Sequence, residues 1–284
     1  MVRTRYSSLD KLNLFLGVYG RLFGGIFSLY WWLPFFIFSI FQAAGLAVLT
    51  WYYAPLWVGM LKPLLSWFIP PPAFHYPQYY LALPSIYSAY ENFVLGPIIW
   101  VIILGAAVYR FGGVYAGRRF ALKEAVGVAA GRFFPMLLVW VLETALVLVV
   151  LSIPPLFLER FLAGSPNRAL AASLLAQMVG FAVSALLIYA VPGIIIDGKK
   201  VFAAIGDSIS LFFGNIFLTY FIVFVPSIIR LAINSLLTDF APRIITLLNP
   251  DLIPALILLE IILGIFINLF IYGAAVFAYV RLNE

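Results

Sequence analysis

The chain has 284 residues, 65% of them hydrophobic and only 10% charged, with 17 Lys and Arg against 11 Asp and Glu for a formal net charge of +6. At that composition the apolar groups cannot be hidden in a water-soluble core, which excludes a soluble protein and leaves a polytopic membrane protein. The absence of Cys removes disulfides, thiolate metal sites and cysteine nucleophiles, and the single histidine, His75, cannot build a multi-histidine metal centre.

A bilayer core about 30 Å thick takes roughly 20 apolar residues to cross as a helix. The opening residues, MVRTRYSSLDKLNLF, are polar and then amphipathic, without a short apolar core and a small-residue cleavage site, and are expected to form a cytoplasmic end. Residues 7–30 then predict an amphipathic interfacial helix and residues 33–53 a first span. Residues 54–91 predict an external loop that Pro70, Pro71 and Pro72 keep from being helical. Its aromatics, among them Trp57, Trp67, Tyr79, Tyr80, Tyr87 and Tyr90, are expected at the membrane–water boundary with the ring buried and the polar tip hydrated. A second span is predicted at 92–110, an interfacial helix at 117–134, further spans at 135–155 and 170–196, a third interfacial helix at 198–213, and the last spans at 215–236 and 252–279. These runs lack long alternation of polar and apolar residues and exceed the roughly 10 residues of a barrel strand. The fold class is therefore all-α: one integral membrane domain over 1–284, with six transmembrane helices and three amphipathic elbow helices.

Each interfacial segment precedes an apolar run, so the plan is an elbow plus hairpin repeated three times. The second begins GRRFALKEAVGVAAGRFFPML and the third GKKVFAAIGDSISLFFGNIFL; both offer Gly, two basic residues, an amphipathic helix and a Phe-Phe pair. Twelve of the 17 basic residues (Arg3, Arg5, Lys11, Arg21, Arg110, Arg118, Arg119, Lys123, Arg132, Lys199, Lys200 and Arg281) fall on one side of these spans. By the positive-inside rule that side is cytoplasmic, with both termini on it, in a cell-membrane protein. The positive charge then reflects topology and anionic lipid, and no nucleic-acid partner is expected.

The third repeat, through Pro192, Gly198, Lys199, Ala204, Ser208, Gly214, Asn215 and Phe217, resembles the six-span membrane family related to the membrane domain of glycerophosphoryl diester phosphodiesterases. The layout covers most of the chain and the motif about thirty residues. The resemblance implies a six-span fold and carries no activity, since no catalytic phosphodiesterase domain is present in this sequence.

Ionisable groups deep in lipid cost on the order of 3 kcal/mol and so point to function or to helix contacts. At helical rise Glu143 falls roughly 14 Å from the cytoplasmic edge of its span, and Glu260 and Gln177 roughly 12 Å from the outer edge of theirs. These three form a candidate intramembrane polar layer, which serves either as exchangeable sites for a proton or cation or as neutral hydrogen-bonding groups between helices. Arg230 is expected to snorkel to the headgroups in preference to reaching Glu260. Asp197 or Asp207 is placed to pair with Lys199 or Lys200, and Gln42 and Asn268 to form interhelical hydrogen bonds. Arg118, Arg119, Lys123, Lys199 and Lys200 are candidate contacts for anionic lipid. Small residues at Gly180, Ala182, Ser184 and Ala185, and at Gly264, Gly273, Ala274 and Ala275, permit close helix approach within the bundle or to another subunit. No GxxxxGK[ST] loop, HExxH motif or spaced carboxylate cluster is present, so neither an enzyme nor a cofactor is expected. The leading expectation is a non-enzymatic scaffold or accessory subunit that contacts lipid and a membrane protein partner or a second copy. The alternative is a small permease or proton-coupled carrier.

Overall fold

A computed structural model describes residues 8–51, 54, 59, 63, 75–157, 165–238 and 240–284. Among these residues the chain is all-helical, with no strand. The helices are α1 (Ser8–Gly25), α2 (Leu29–Thr50), α3 (Tyr79–Tyr90), a π-helical stretch (Glu91–Trp100), α4 (Val101–Tyr115), α5 (Leu122–Gly131), α6 (Phe133–Phe157), α7 (Pro166–Leu187), α8 (Ala190–Ile195), α9 (Val201–Gly214), α10 (Ile216–Thr238), α11 (Ala241–Leu247) and α12 (Leu252–Asn283). Six segments are long and apolar enough to cross a membrane: Leu29–Thr50, Tyr79–Tyr115, Phe133–Ile153, Ala171–Ile195, Ile216–Leu237 and Leu252–Asn283.

The second span corrects the sequence expectation. It begins at Tyr79 instead of residue 92, so the last part of the expected external loop is helix. Tyr79, Tyr80 and Tyr87 lie buried in that helix, not at a hydrated boundary. Trp57 and Trp67 lie outside the described residues. Two prolines, Pro84 and Pro97, sit inside this segment. Pro97 has no N–H to close an α-helical ring, and the backbone around it takes the wider π winding.

The chain divides into two compact units, with boundaries after Pro34, Trp100, Pro226 and Ile267. The first comprises Met1–Pro34, Val101–Pro226 and Asn268–Glu284. In it α4 packs on α5, α6 on α7 and α8 on α9. Small side chains set these distances: a Cβ on Gly105 of α4 would stand 2.7 Å from Met136 Sδ and 2.9 Å from the Ala129 Cβ. Ala106, Ala107, Ala125 and Ala129 are fully buried. Without a hydrophobic difference between lipid and protein, such close packing is what holds membrane helices together.

The Gly-basic-basic sequence of the second and third repeats has a structural reason. Gly117 and Gly198 take the left-handed conformation, at φ 71° and 68°. The following N–H groups return to the helix just ended, Arg118 to Gly113 O at 2.8 Å and Lys199 to Gly193 O at 3.1 Å. The first is a Schellman cap and the second a wider turn whose bond runs six residues back, and each places at its left-handed position a glycine, which has no Cβ penalty there. The amphipathic helices α5 and α9 follow, and a single residue outside helical geometry, Arg132 or Asn215, ends each before α6 or α10 begins.

The second unit comprises Phe35–Trp100 and Ser227–Ile267. Its core joins Leu46 and Leu49 of α2, Tyr79, Leu83 and Tyr87 of α3, Ile233 and Leu237 of α10, Ala241 and Ile244 of α11, and Ile253, Ile257 and Ile261 of α12. The Tyr79 hydroxyl donates to Leu49 O at 2.9 Å and that of Tyr90 to Phe41 O at 3.1 Å, so two tyrosines clamp α3 and its continuation to α2.

Candidate functional site

The polar groups of the second unit gather from α2, α3 and its π-helical continuation, α10 and α12. Buried Gln42 donates through Nε2 to Glu91 Oε1 at 2.9 Å. Arg230 Nε stands 3.7 Å from Glu260 Oε1, an ion pair too long for a hydrogen bond. The guanidinium is within electrostatic reach of both carboxylates, and the carboxylates of each other. Tyr87 on α3 is within electrostatic reach of Glu91, Glu260 and Arg230. Its hydroxyl and Arg230 Nε are buried without a hydrogen-bond partner.

Local sequence explains the convergence. Tyr79, Leu83, Tyr87 and Glu91 are spaced by four, so one helical face that begins apolar ends in a carboxylate. On α12, Gly264 stands one turn beyond Glu260, where a Cβ would meet Arg230 Nη2 at 3.7 Å. Ser39 on α2 is buried and donates to Phe35 O at 3.0 Å, with Ile261 O of α12 at 3.5 Å. Two carboxylates with one guanidinium carry one negative charge when all are ionised and none when one proton or small cation is added.

A second network lies in the first unit. Lys199 Nζ contacts Asp197 at 2.8 Å and Asp207 at 3.0 Å, and donates to the Tyr279 hydroxyl at 2.9 Å. Tyr279 donates in turn to Asp197. Partial burial works to lower the Lys199 pKa, but the hydrogen bonds to Asp197, Tyr279 and Asp207 outweigh it and hold the ammonium above its ordinary range. The network ties α9 and the turn before it to α12, and the pairing expected of Asp197 and Asp207 with Lys199 is present.

Three residues of the resemblance, Pro192, Ala204 and Ser208, lie at a helix junction in the same unit. Pro192 has no N–H for Ile188, and the helix breaks into α7 and α8 at residues 188–189. Ser208 of α9, fully buried, accepts from Tyr189 N–H at 3.1 Å and donates to Leu186 O at 2.8 Å, so it satisfies both sides of the break. The Tyr189 hydroxyl meets Thr219 Oγ1 at 3.0 Å, and a Cβ on Gly193 would touch that of Ala204 at 3.4 Å.

The residues of the expected polar layer belong to two different units. Glu143 on α6 lies beside Ser184 of α7, and Gln177 donates to Ser173 on its own helix at 3.3 Å; both belong to the first unit. Glu260 belongs to the second, with Arg230 as its partner. The expectation that Arg230 snorkels is corrected, since its guanidinium turns to that carboxylate. Among the expected lipid contacts Arg118, Arg119, Lys123 and Lys200 are exposed, whereas Lys199 is committed to protein partners. Glu91 and Tyr87 are not among the site residues the sequence predicts, because the stretch before residue 92 reads as loop. The four-residue spacing that ends at Glu91 was the signal available.

No family model, curated protein or solved structure matches the chain.

Proposed function

We propose that the chain is a small proton-coupled carrier of the cell membrane, with its exchange site at Gln42, Tyr87, Glu91, Arg230 and Glu260 and both termini cytoplasmic. The observation that carries this reading is the surplus of one carboxylate around Arg230, together with two buried donors that lack acceptors. A static tether would need one acid and one base; the second acid gives the site a place for a proton or small cation that can be exchanged. No enzymatic step is part of the reading.

Reconstitution into liposomes that enclose a pH-sensitive dye tests it. Addition of a small cation such as sodium, potassium or choline on one side is expected to move protons at a saturable rate. Glu91→Gln and Glu260→Gln are each expected to lower that rate at least roughly tenfold while leaving the unfolding midpoint near that of the wild type. Unchanged flux in both variants sinks the site.

A second reading, an accessory subunit, is favoured by one observation. Only 11% of the Phe133–Ile153 span is buried within the protein, yet that span carries Glu143. A partner helix or second copy laid on α6 would cover the carboxylate. Loss of a co-purifying protein or of a dimer in Glu143→Leu supports this reading, and an unchanged monomeric wild type removes it.

A further inference from the structure

The first unit holds a pocket of about 370 Å³ lined by Arg21, Gly24, Gly25, Ser28, Trp31, Val114, Tyr115, Arg119 and Phe277. We infer that it is a binding site for a phosphate-bearing lipid headgroup. The inference is independent of the carrier reading, because no residue is shared with the carboxylate cluster.

The pocket is amphipathic in the way such a ligand requires. Its wall is aromatic, with Trp31 and Phe277 rings 5.6 Å apart and Tyr115 and Phe277 5.9 Å apart. Both Trp31 and Phe277 are buried. Gly25 makes room for that wall, since a Cβ there would stand 2.7 Å from the Trp31 indole. The rim carries two exposed guanidinium groups, Arg21 from α1 and Arg119 from the turn before α5, together with the Ser28 hydroxyl. Among the described residues none that lines it is acidic. Beside it, Glu284 takes a hydrogen bond from the Tyr115 hydroxyl at 2.7 Å and is paired with Arg281 at 3.2 Å.

Positive charge is in excess just beyond the wall as well. Arg110 lies 3.8 Å over the Tyr30 ring, with Arg119 at 5.7 Å from the same ring. Arg110 is 4% exposed, and its Nε and Nη1 have no hydrogen-bond partner. Two arginine forks suit the tetrahedral oxygens of phosphate better than a single carboxylate, and an apolar wall suits the glycerol and upper acyl chain behind it. A bare inorganic anion would use the rim and leave the wall wet.

The full-length protein is reconstituted in equal dioleoyl phosphatidylglycerol and phosphatidylcholine, transferred to mild detergent, and its retained lipid counted by native mass spectrometry. Wild type is expected to retain phosphatidylglycerol preferentially. Arg21→Gln with Arg119→Gln is expected to lose that preference by roughly tenfold, whereas Arg168→Gln with Arg243→Gln, which removes equal charge from exposed positions outside the pocket, is expected to keep it. Arg21→Lys with Arg119→Lys keeps the charge without the fork and is expected to lose about threefold, which provides a readout if the neutral pair does not fold. Millimolar inorganic phosphate separates the sources: lipid that stays bound assigns the site to the headgroup, and lipid displaced assigns it to phosphate in either form. Equal retention by wild type and the pocket variants, or equal loss in the pocket and control pairs, overturns the proposal.

Discussion

Ser208 shows how much of this fold hangs on single polar atoms. Its hydroxyl is the acceptor for Tyr189 N–H and the donor to Leu186 O, at a helix break where no water of the bilayer core can substitute. Ser208→Ala removes both bonds and leaves a buried N–H unpaired, so a loss of about 1–3 kcal/mol is expected in detergent unfolding followed by tryptophan fluorescence. Ser152→Ala, at an exposed position, is expected to change stability by under about 0.5 kcal/mol, and an equal loss at both positions would contradict this account. The role of Ser208 was not legible in the sequence. Nothing in the chain order says that a serine in one helix answers a proline sixteen residues earlier; only the fold brings them together.

At the scale of elements, the Lys199 network fixes α9 to α12 by charge. Its side chains are 28% exposed for Lys199, 35% for Asp197 and 45% for Asp207, so solvent screens the pairs and each contributes up to about 1 kcal/mol. The raised pKa of Lys199 sets the sign of its pH dependence. A base held above its unfolded value of about 10.4 contributes fully below that pH and loses the contribution as pH rises through the folded value. The stability gap between wild type and Lys199→Gln is therefore expected to arise from the intact network at neutral pH, with no loss through lysine deprotonation until the solution is strongly alkaline. A gap that closes already between about pH 8 and 9 would show that Lys199 is not held in this way. This element was partly legible: the Gly-Lys-Lys start and the nearby aspartates were visible, and the left-handed backbone at Gly198 explains why glycine comes first. What could not be read was Tyr279, which is 80 residues from Lys199 in sequence. The start of α3 failed for a different reason. Pro84 and a run of tyrosines look like boundary chemistry, yet a membrane bundle accommodates proline within helices and buries tyrosine where backbone carbonyls accept its hydroxyl.

At the scale of the molecule, the six spans were legible because lipid thickness imposes a length on apolar helices that water-soluble cores do not. Their handedness in the membrane is a separate matter, and the cysteine-free chain makes it directly measurable. Between His75 and Lys200 lie three spans, between Lys123 and Lys200 two, and between Lys200 and Asp251 one. Parity then requires His75 and Asp251 on one face and Lys123 and Lys200 on the other, whichever way the protein is inserted. All four side chains are exposed. Single cysteines at these positions are expected to react with a membrane-impermeant maleimide in two groups, residues 123 and 200 from one side and residues 75 and 251 from the opposite side. The charge argument adds the direction: 123 and 200 should react only in inverted vesicles, because basic residues resist translocation. Mixed groups would overturn the span count itself. Correct groups with inverted direction would keep the six spans but move Arg21, Arg119 and the phosphate pocket to the outer face, where they would meet outer-leaflet headgroups instead of cytoplasmic ones.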